Sequence, residues 1–322
     1  MFISKTARTF SFILGLVLTN SFALTDYSDV STSSSGGGMM GGNAPRIISA
    51  PRSTQNISNV SQGSVERGSK LALGFSLAGK YEALSLDRRL GDGPVSIYTL
   101  EGHLDTAANL FLDLSYSAIA SGTTHIAPEG ATLQPANAKV MVGLNWLKLG
   151  SASDMATFNI LGGANFAPSE SDFTSSRLDK VVGLQTGKRF YSFILDLGYE
   201  LTLTEDADQL GEVDVGNIQK FYGKLGWIVS SDIAFQLEAT TISISSSDNF
   251  TRNALYRLTS DVDFGYLSPK LNLGLGRLVE LELGALFRLK RAAQIGKLLD
   301  AHLWDTHGVY GDGIYSALIV SI

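Results

Sequence analysis

From Lys70 onward the chain repeats an alternation of apolar and polar positions. Around residue 195 the apolar set is Tyr191, Phe193, Leu195, Leu197, Tyr199 and Leu201, interleaved with Ser192, Ile194, Asp196, Gly198, Glu200 and Thr202. Near residue 110 it is Leu110, Leu112, Leu114 and Tyr116 against Phe111, Asp113, Ser115 and Ser117. A late segment sets Val279, Leu281, Leu283, Ala285, Phe287 and Leu289 against Glu280, Glu282, Gly284, Leu286, Arg288 and Lys290. The same period recurs over 140–146, 158–166 and 221–229. A period of two sends successive side chains to opposite faces, which is the signature of β-strands. Several stretches hold it for ten to twelve residues. Soluble strands usually run about five or six residues, whereas a strand crossing a membrane at a tilt needs roughly 9–11.

Connections of two lengths separate these stretches. Long ones fall at 84–94, 119–137, 168–177, 205–216, 246–255 and 293–308, and short ones near 105–108, 150–155, 187–190, 230–232 and 276–278. Six long and five short connections predict twelve strands over 69–322, with ten to fourteen compatible with the same pattern. The second strand (95–104) and the tenth (257–275, interrupted by Pro269) carry the least regular alternation. An even number of antiparallel strands with alternating short turns and long loops is the rule for membrane barrels. Because backbone groups cannot be left unpaired in hydrocarbon, a spanning sheet must close on itself. Trp146, Phe158, Phe166, Tyr191, Tyr199, Phe221 and Trp227 mark the ends of the apolar faces, where interfacial aromatic girdles are expected. A soluble β-sandwich or a secreted β-solenoid is the competing fold.

The first residues differ from the rest. Lys5 and Arg8 precede an apolar stretch from Phe10 to Leu18, and Ser21-Phe22-Ala23 places small residues where a signal peptidase cuts. Residues 1–23 are therefore expected to be a cleaved signal peptide, the apolar stretch being far short of the ~20 residues of a spanning helix. Residues 24–68 hold ten serines and seven glycines in 45 positions. That composition buries too little apolar area to offset ordering entropy, so a flexible tail is expected. Pairing of Ile47-Ile48 or Ile57–Val60 with another chain, or insertion into a lumen, is the alternative for this segment.

Composition narrows the field. Charged residues make up 17% of the chain, below the usual ~25%, while 34 glycines in 322 residues exceed the usual ~7%. Net charge is −6 with no basic stripe, so nucleic acid is not an expected partner. Without cysteine, disulfides, thiolate zinc sites and an acylated-cysteine anchor are all excluded.

On the signal peptide and residues 69–322, the chain resembles a Gram-negative outer-membrane β-barrel protein. The closing stretch Tyr315 to Ile322 keeps alternation at Leu318, Val320 and Ile322, similar to the assembly signal of that class. It ends on isoleucine instead of an aromatic residue and has Ala317 where glycine is usual. The resemblance implies residence in the outer membrane, contact with its lipid and delivery by the outer-membrane insertion machinery.

In a barrel the polar face turns inward. The lumen-lining candidates are Asp113, Asp196, Glu200, Lys224, Glu238, Glu280, Glu282, Arg288 and Lys290, together with Lys180. Six acids against four bases predict a mildly acidic lumen, with Glu280, Glu282, Arg288 and Lys290 concentrating charge on one strand. The function expected is a channel for passive diffusion of small polar solutes or ions with weak cation preference, which opposite-sign pairing would reduce. A closed barrel with a structural, adhesive or partner-anchoring role is the alternative. His302, Asp305 and His307 are ordinary metal-ligand types within six residues, but parity separates them unless the stretch is a loop. His103 and Asp105 share a strand face with no serine nucleophile beside them in sequence. Neither group outweighs its reading as ordinary polar positions, so no enzyme, metal or cofactor is expected. Gly274-Leu275-Gly276 and Gly311-Asp312-Gly313 do not complete a phosphate-binding pattern.

Overall fold

The computed structural model describes residues 74–322, apart from 92, 107, 124–125, 127–131, 152–153 and 210. The signal peptide and tail expected over 1–23 and 24–68 lie outside the described residues. Twelve strands form: β1 (Gly74–Leu86), β2 (Pro94–Asp105), β3 (Leu110–Ser121), β4 (Gln134–Ser151), β5 (Asp154–Phe166), β6 (Asp179–Phe190), β7 (Phe193–Leu203), β8 (Ile218–Ile228), β9 (Ile233–Ile244), β10 (Val262–Gly274), β11 (Val279–Lys290) and β12 (Gly311–Ser321). Each pairs antiparallel with its chain neighbours, and β1 pairs with β12 from Ser76↔Ser321 to Leu86↔Gly311, which closes the barrel. A single short helix, α1 (Ile295–Asp300), interrupts the last long connection.

Short turns and long loops alternate as the sequence predicts, with one displacement. The turn expected at 187–190 lies at Tyr191-Ser192, because β6 continues through Lys188-Arg189 to the Phe190↔Phe193 pair. Tyr191 is thus a turn residue with φ of 52° instead of the first outward position of β7.

Alternation sorts the side chains. On β7, Ile194, Asp196 and Gly198 turn inward and are buried, while Phe193 and Leu195 face out and are exposed. Across the barrel, the exposed outward positions include Leu77, Leu100, Leu114, Val142, Leu225, Leu283 and Leu318. Soluble monomers rarely expose contiguous apolar patches above a few hundred Å², so this wall suits hydrocarbon. Near the short-turn end, Phe193 stacks on Trp227 at 6.1 Å and Trp146 meets Phe158 edge-on at 5.8 Å. Toward the other end, Tyr81 and Tyr98 lie 5.2 Å apart, and Tyr199 sits opposite Phe221. Phe166 ends β5 at the long-loop side. Trp146 is the extra residue of a bulge, since Asn145 pairs with Asn159 and Leu147 with Phe158. The bulge turns both Trp146 and Leu147 outward, so the register of β4 changes face there.

Inside, three glycines make room for aromatic rings. Gly143, Gly198 and Gly284 lie directly opposite Phe111, Tyr222 and Tyr315 on the neighbouring strands, and a Cβ at any of them would collide with the facing ring. Each ring therefore lies down over a bare stretch of backbone, which tightens the wall. Alanine at Gly198 would gain local strand propensity but lose this space. We expect Gly198→Ala to destabilise the barrel by about 1–3 kcal/mol, read as a lower midpoint for loss of heat-modifiable mobility in detergent. The double variant Gly198→Ala/Tyr222→Ala should recover part of that loss.

Candidate functional site: the barrel lumen

The inner wall is not polar throughout. Toward the long-loop end the inward positions are Leu84, Val95, Ile97, Ile119, Ile218, Ile242, Ile244, Val262 and Phe264, all buried. These apolar residues are covered by loops that fold over the mouth. From the connection 291–310 come Ile295, Leu298, Leu303, Trp304, Val309 and Tyr310, and from other loops Leu90, Phe173, Val213 and Leu258. Trp304 packs edge-on against Phe173 at 5.2 Å and lies 4.3 Å from Tyr310. The Tyr310 hydroxyl donates to the Leu298 carbonyl at 2.7 Å and accepts from the Leu303 amide at 2.9 Å, pinning the chain that follows α1. Each large apolar side chain fully buried there contributes about 1.5–3 kcal/mol.

Polar clasps tie the roof to the wall. Arg177, whose side chain is fully buried, lies 3.2 Å from Glu212 and 3.4 Å from Asp179, and it donates to the Ala301 carbonyl at 3.1 Å. One guanidinium thus holds three long loops and the start of β6 together. His302 Nδ1 donates to the Thr174 carbonyl at 2.6 Å. Asn165 Nδ2, on the inner face of β5, donates to Asp305 Oδ2 at 2.7 Å. Arg252 joins the neighbouring loops by pairing with Asp214 at 3.2 Å.

Beneath this roof lies a polar cavity of about 190 Å³. Glu101 and His103 of β2, with Asp113 of β3, form one side. His103 is clamped between two carboxylates, Asp113 at Nδ1 and Asp105 at 3.1 Å from Nε2. Lys139 of β4, Glu200 of β7 and Lys220, Tyr222 and Lys224 of β8 form another. Lys139 and Lys220 share Glu200, at 3.2 and 4.0 Å. Glu238 of β9 is likewise shared by Lys224 at 3.8 Å and Lys270 at 3.3 Å. Trp304, Asp305 and His307 complete the lining from the 291–310 loop. Both loop ionisable groups are perturbed by burial: the Asp305 carboxyl is pushed up, and the His307 imidazole is pushed down to about 4. Although His307 Nδ1 is 3.8 Å from Glu82, the ring is neutral above that pH and makes no ion pair there.

The predicted lumen residues divide into four groups. Asp113, Glu200, Lys224 and Glu238 line the cavity. Asp196, Glu280 and Glu282 point inward but lie outside it: Asp196 and Glu282 are buried among wall side chains, and Glu280 accepts from Asn272 Nδ2 at 2.6 Å near the short turns. Arg288 sits under the loops, 3.0 Å from Asp87 and 3.5 Å from Asp312. The remaining two do not belong inside. Lys290, 63% exposed at the loop end of β11, pairs with Asp263 on the outer face of β10, where a register shift at Gly265/Tyr266 breaks the alternation. Lys180 shares the outward parity of Val182 and Leu184 and is 62% exposed beside Glu205. Sequence reasoning overlooked Lys80, Glu101, Lys139, Lys220 and Lys270, although the parity of Lys220 with Lys224, and of Lys139 with Met141, marks them as inward.

His302, Asp305 and His307 do lie in a loop, yet they face different neighbours: Thr174, Asn165 and Glu82. Among the described residues, no group of three or more His, Asp or Glu side chains is arranged to hold a metal ion.

Removing the guanidinium of Arg177 takes the paired cation from Glu212 and Asp179 at a buried site. Breaking such a pair costs about 3–5 kcal/mol. We expect Arg177→Ala to speed amide hydrogen exchange in 295–310 while leaving exchange in β8 and β9 unchanged.

No protein-family model matches the chain, and no curated protein matches it. Among solved structures, the COG4313 outer membrane channel from Pseudomonas putida F1 aligns with a TM-score of 0.57 at 10% identity, over 81% of this chain and 98% of that one. A NanC porin aligns with a TM-score of 0.46 at 11% identity, over 76% of this chain and 98% of that one. The twelve-strand antiparallel closure, the apolar outer wall and the first of these likenesses agree: the chain has the fold of the Gram-negative outer-membrane β-barrel proteins.

Proposed function

We propose that the protein is an outer-membrane channel for passive diffusion of small polar solutes or ions, with the 291–310 loop as its constriction. The observation that carries this reading is the polar, charge-lined cavity of about 190 Å³ within a closed barrel. Solutes move through water past fixed charges, and those charges set selectivity. Lysines and carboxylates are largely paired along the wall, mostly between neighbouring strands, so the cation preference is weak. The outward leucines and aromatic girdles meet membrane lipid, and the alternation of Leu318, Val320 and Ile322 serves recognition by the insertion machinery. No reaction, metal or cofactor is part of this reading.

A second reading draws on the dry, apolar packing of loops in the mouth: a permanently closed barrel that presents those loops to a partner. Single-channel recording of the protein in a planar bilayer under a potassium chloride gradient separates the two. Channel function predicts small, reproducible current steps with a slightly cation-selective reversal potential. A folded, inserted protein that passes no current supports the closed barrel. Replacing 292–309 with a short glycine-serine turn should enlarge the steps severalfold; unchanged steps would show that this loop is not the constriction.

The buried histidine adds a pH dependence. Seated in the lumen, His307 stays neutral down to about pH 4, whereas a released loop would protonate it near its ordinary 6.5. Seating therefore weakens as pH falls between those values and levels off below them. Asp305 acts with the opposite sign, because burial favours its protonated form. The expected signature is a difference between variants: conductance of the parent should rise more steeply on acidification from pH 6.5 to 4 than that of His307→Gln.

A further inference from the structure

The cavity holds charges of both signs that are only partly separated around the barrel: Lys80 of β1 lies beside Glu82 on one side, and Glu200 and Glu238 stand among the lysines on the other. In a closed ring of twelve strands, β2 and β8 are six strands apart and therefore face each other across the lumen. On β2 and β3 the cavity presents Glu101 and Asp113, with one imidazole, His103, held between Asp105 and Asp113. One oxygen of Asp113 is buried with no hydrogen-bond partner among the described residues. On the facing side stand Lys220 and Lys224, and Lys139 approaches from β4. Lys139 and Lys220 share a single carboxylate, Glu200. An ammonium carries three donors, so one shared carboxylate leaves both able to bind a further acceptor.

We infer that the cavity is a binding station for a small zwitterionic solute of the α-amino-acid type. Its ammonium group lies against Glu101 and Asp113, and its carboxylate against Lys139 and Lys220. This rests on the channel reading and names the solute class it favours. The choice follows from desolvation. A solute of one sign would meet groups of like charge within the cavity, whereas a solute carrying both signs replaces lost hydration at both ends. Size agrees: about 190 Å³ is below the ~300–1,000 Å³ typical of sites for drug-sized ligands. Trp304 lines the same cavity, while Trp146 and Trp227 lie on the outer wall, so indole fluorescence offers a local reporter.

The full chain in detergent would be titrated with L-glutamine, N-acetylglutamine, glutaminamide and glucose, with Trp304→Phe assigning the signal. In parallel, the same preparation would be assayed for potassium chloride current in a bilayer. The expected result is a saturable Trp304 response to L-glutamine in the millimolar range, at least tenfold weaker for N-acetylglutamine and glutaminamide and absent for glucose. Asp113→Asn should selectively reduce discrimination against N-acetylglutamine, and Lys220→Gln discrimination against glutaminamide. Retained heat-modifiable mobility would show that both variants fold. Equal responses to all four probes, a preference for glucose, or no response from a protein that carries current would overturn the inference. A selective glutamine response without current would support the binding station and overturn the channel reading, so the two fail separately.

Discussion

Closure of the β1–β12 seam is the constraint on which everything else depends. A strand edge facing hydrocarbon would leave a row of amide and carbonyl groups without partners, each costing several kcal/mol. Eleven register pairs between β1 and β12 remove that edge, and Phe75 and Ile322 exchange backbone hydrogen bonds just beyond it. Once the sheet is a ring, each residue has only two directions available, toward the surroundings or toward the lumen. The apolar girdle and the charged cavity are both consequences of that division.

A ring of twelve strands encloses a space that must be filled or wetted, and this barrel does both at different heights. Under the long loops, isoleucine, valine and phenylalanine line the wall, and α1 with the turns after it supplies complementary apolar surface. Further down the lining is polar, and the rings of Phe111, Tyr222 and Tyr315 fold over glycines. The 291–310 loop straddles the two zones. Its leucines belong to the dry layer, whereas Asp305 and His307 face the polar one.

Charge inside the barrel is managed by sharing. Glu200 and Glu238 each serve two lysines, His103 serves two aspartates, and Arg177 gathers two carboxylates and a carbonyl beneath the roof. Burying an unpaired charge is far more costly than burying one that is paired and hydrogen-bonded. Such sharing keeps many ionisable groups in a narrow lumen while leaving the cavity able to interact with a charged guest.

The strand pattern was legible in the sequence because hydrocarbon imposes one rule on every outward position. Leu195, Leu197, Leu281 and Leu283 declare their face without reference to any neighbour, and the loop lengths then order the strands. The lumen obeys no such rule. Ile242 and Ile244 read as unremarkable apolar residues, yet they face inward, because loops distant in sequence cover them. Lys290 and Trp146 lie where bulges disturb the alternation, a feature of pairing between strands and not of either strand alone. Charge clustering along β11 likewise pointed to Glu280, Glu282 and Arg288, whereas the cavity is assembled from β1 to β5, β7 to β9 and the 291–310 loop. Local periodicity thus determined which residues form strands and which face most of them present. Only closure of the ring and infolding of the loops decided which inward groups share one wet space, because that depends on contacts between residues far apart in the chain.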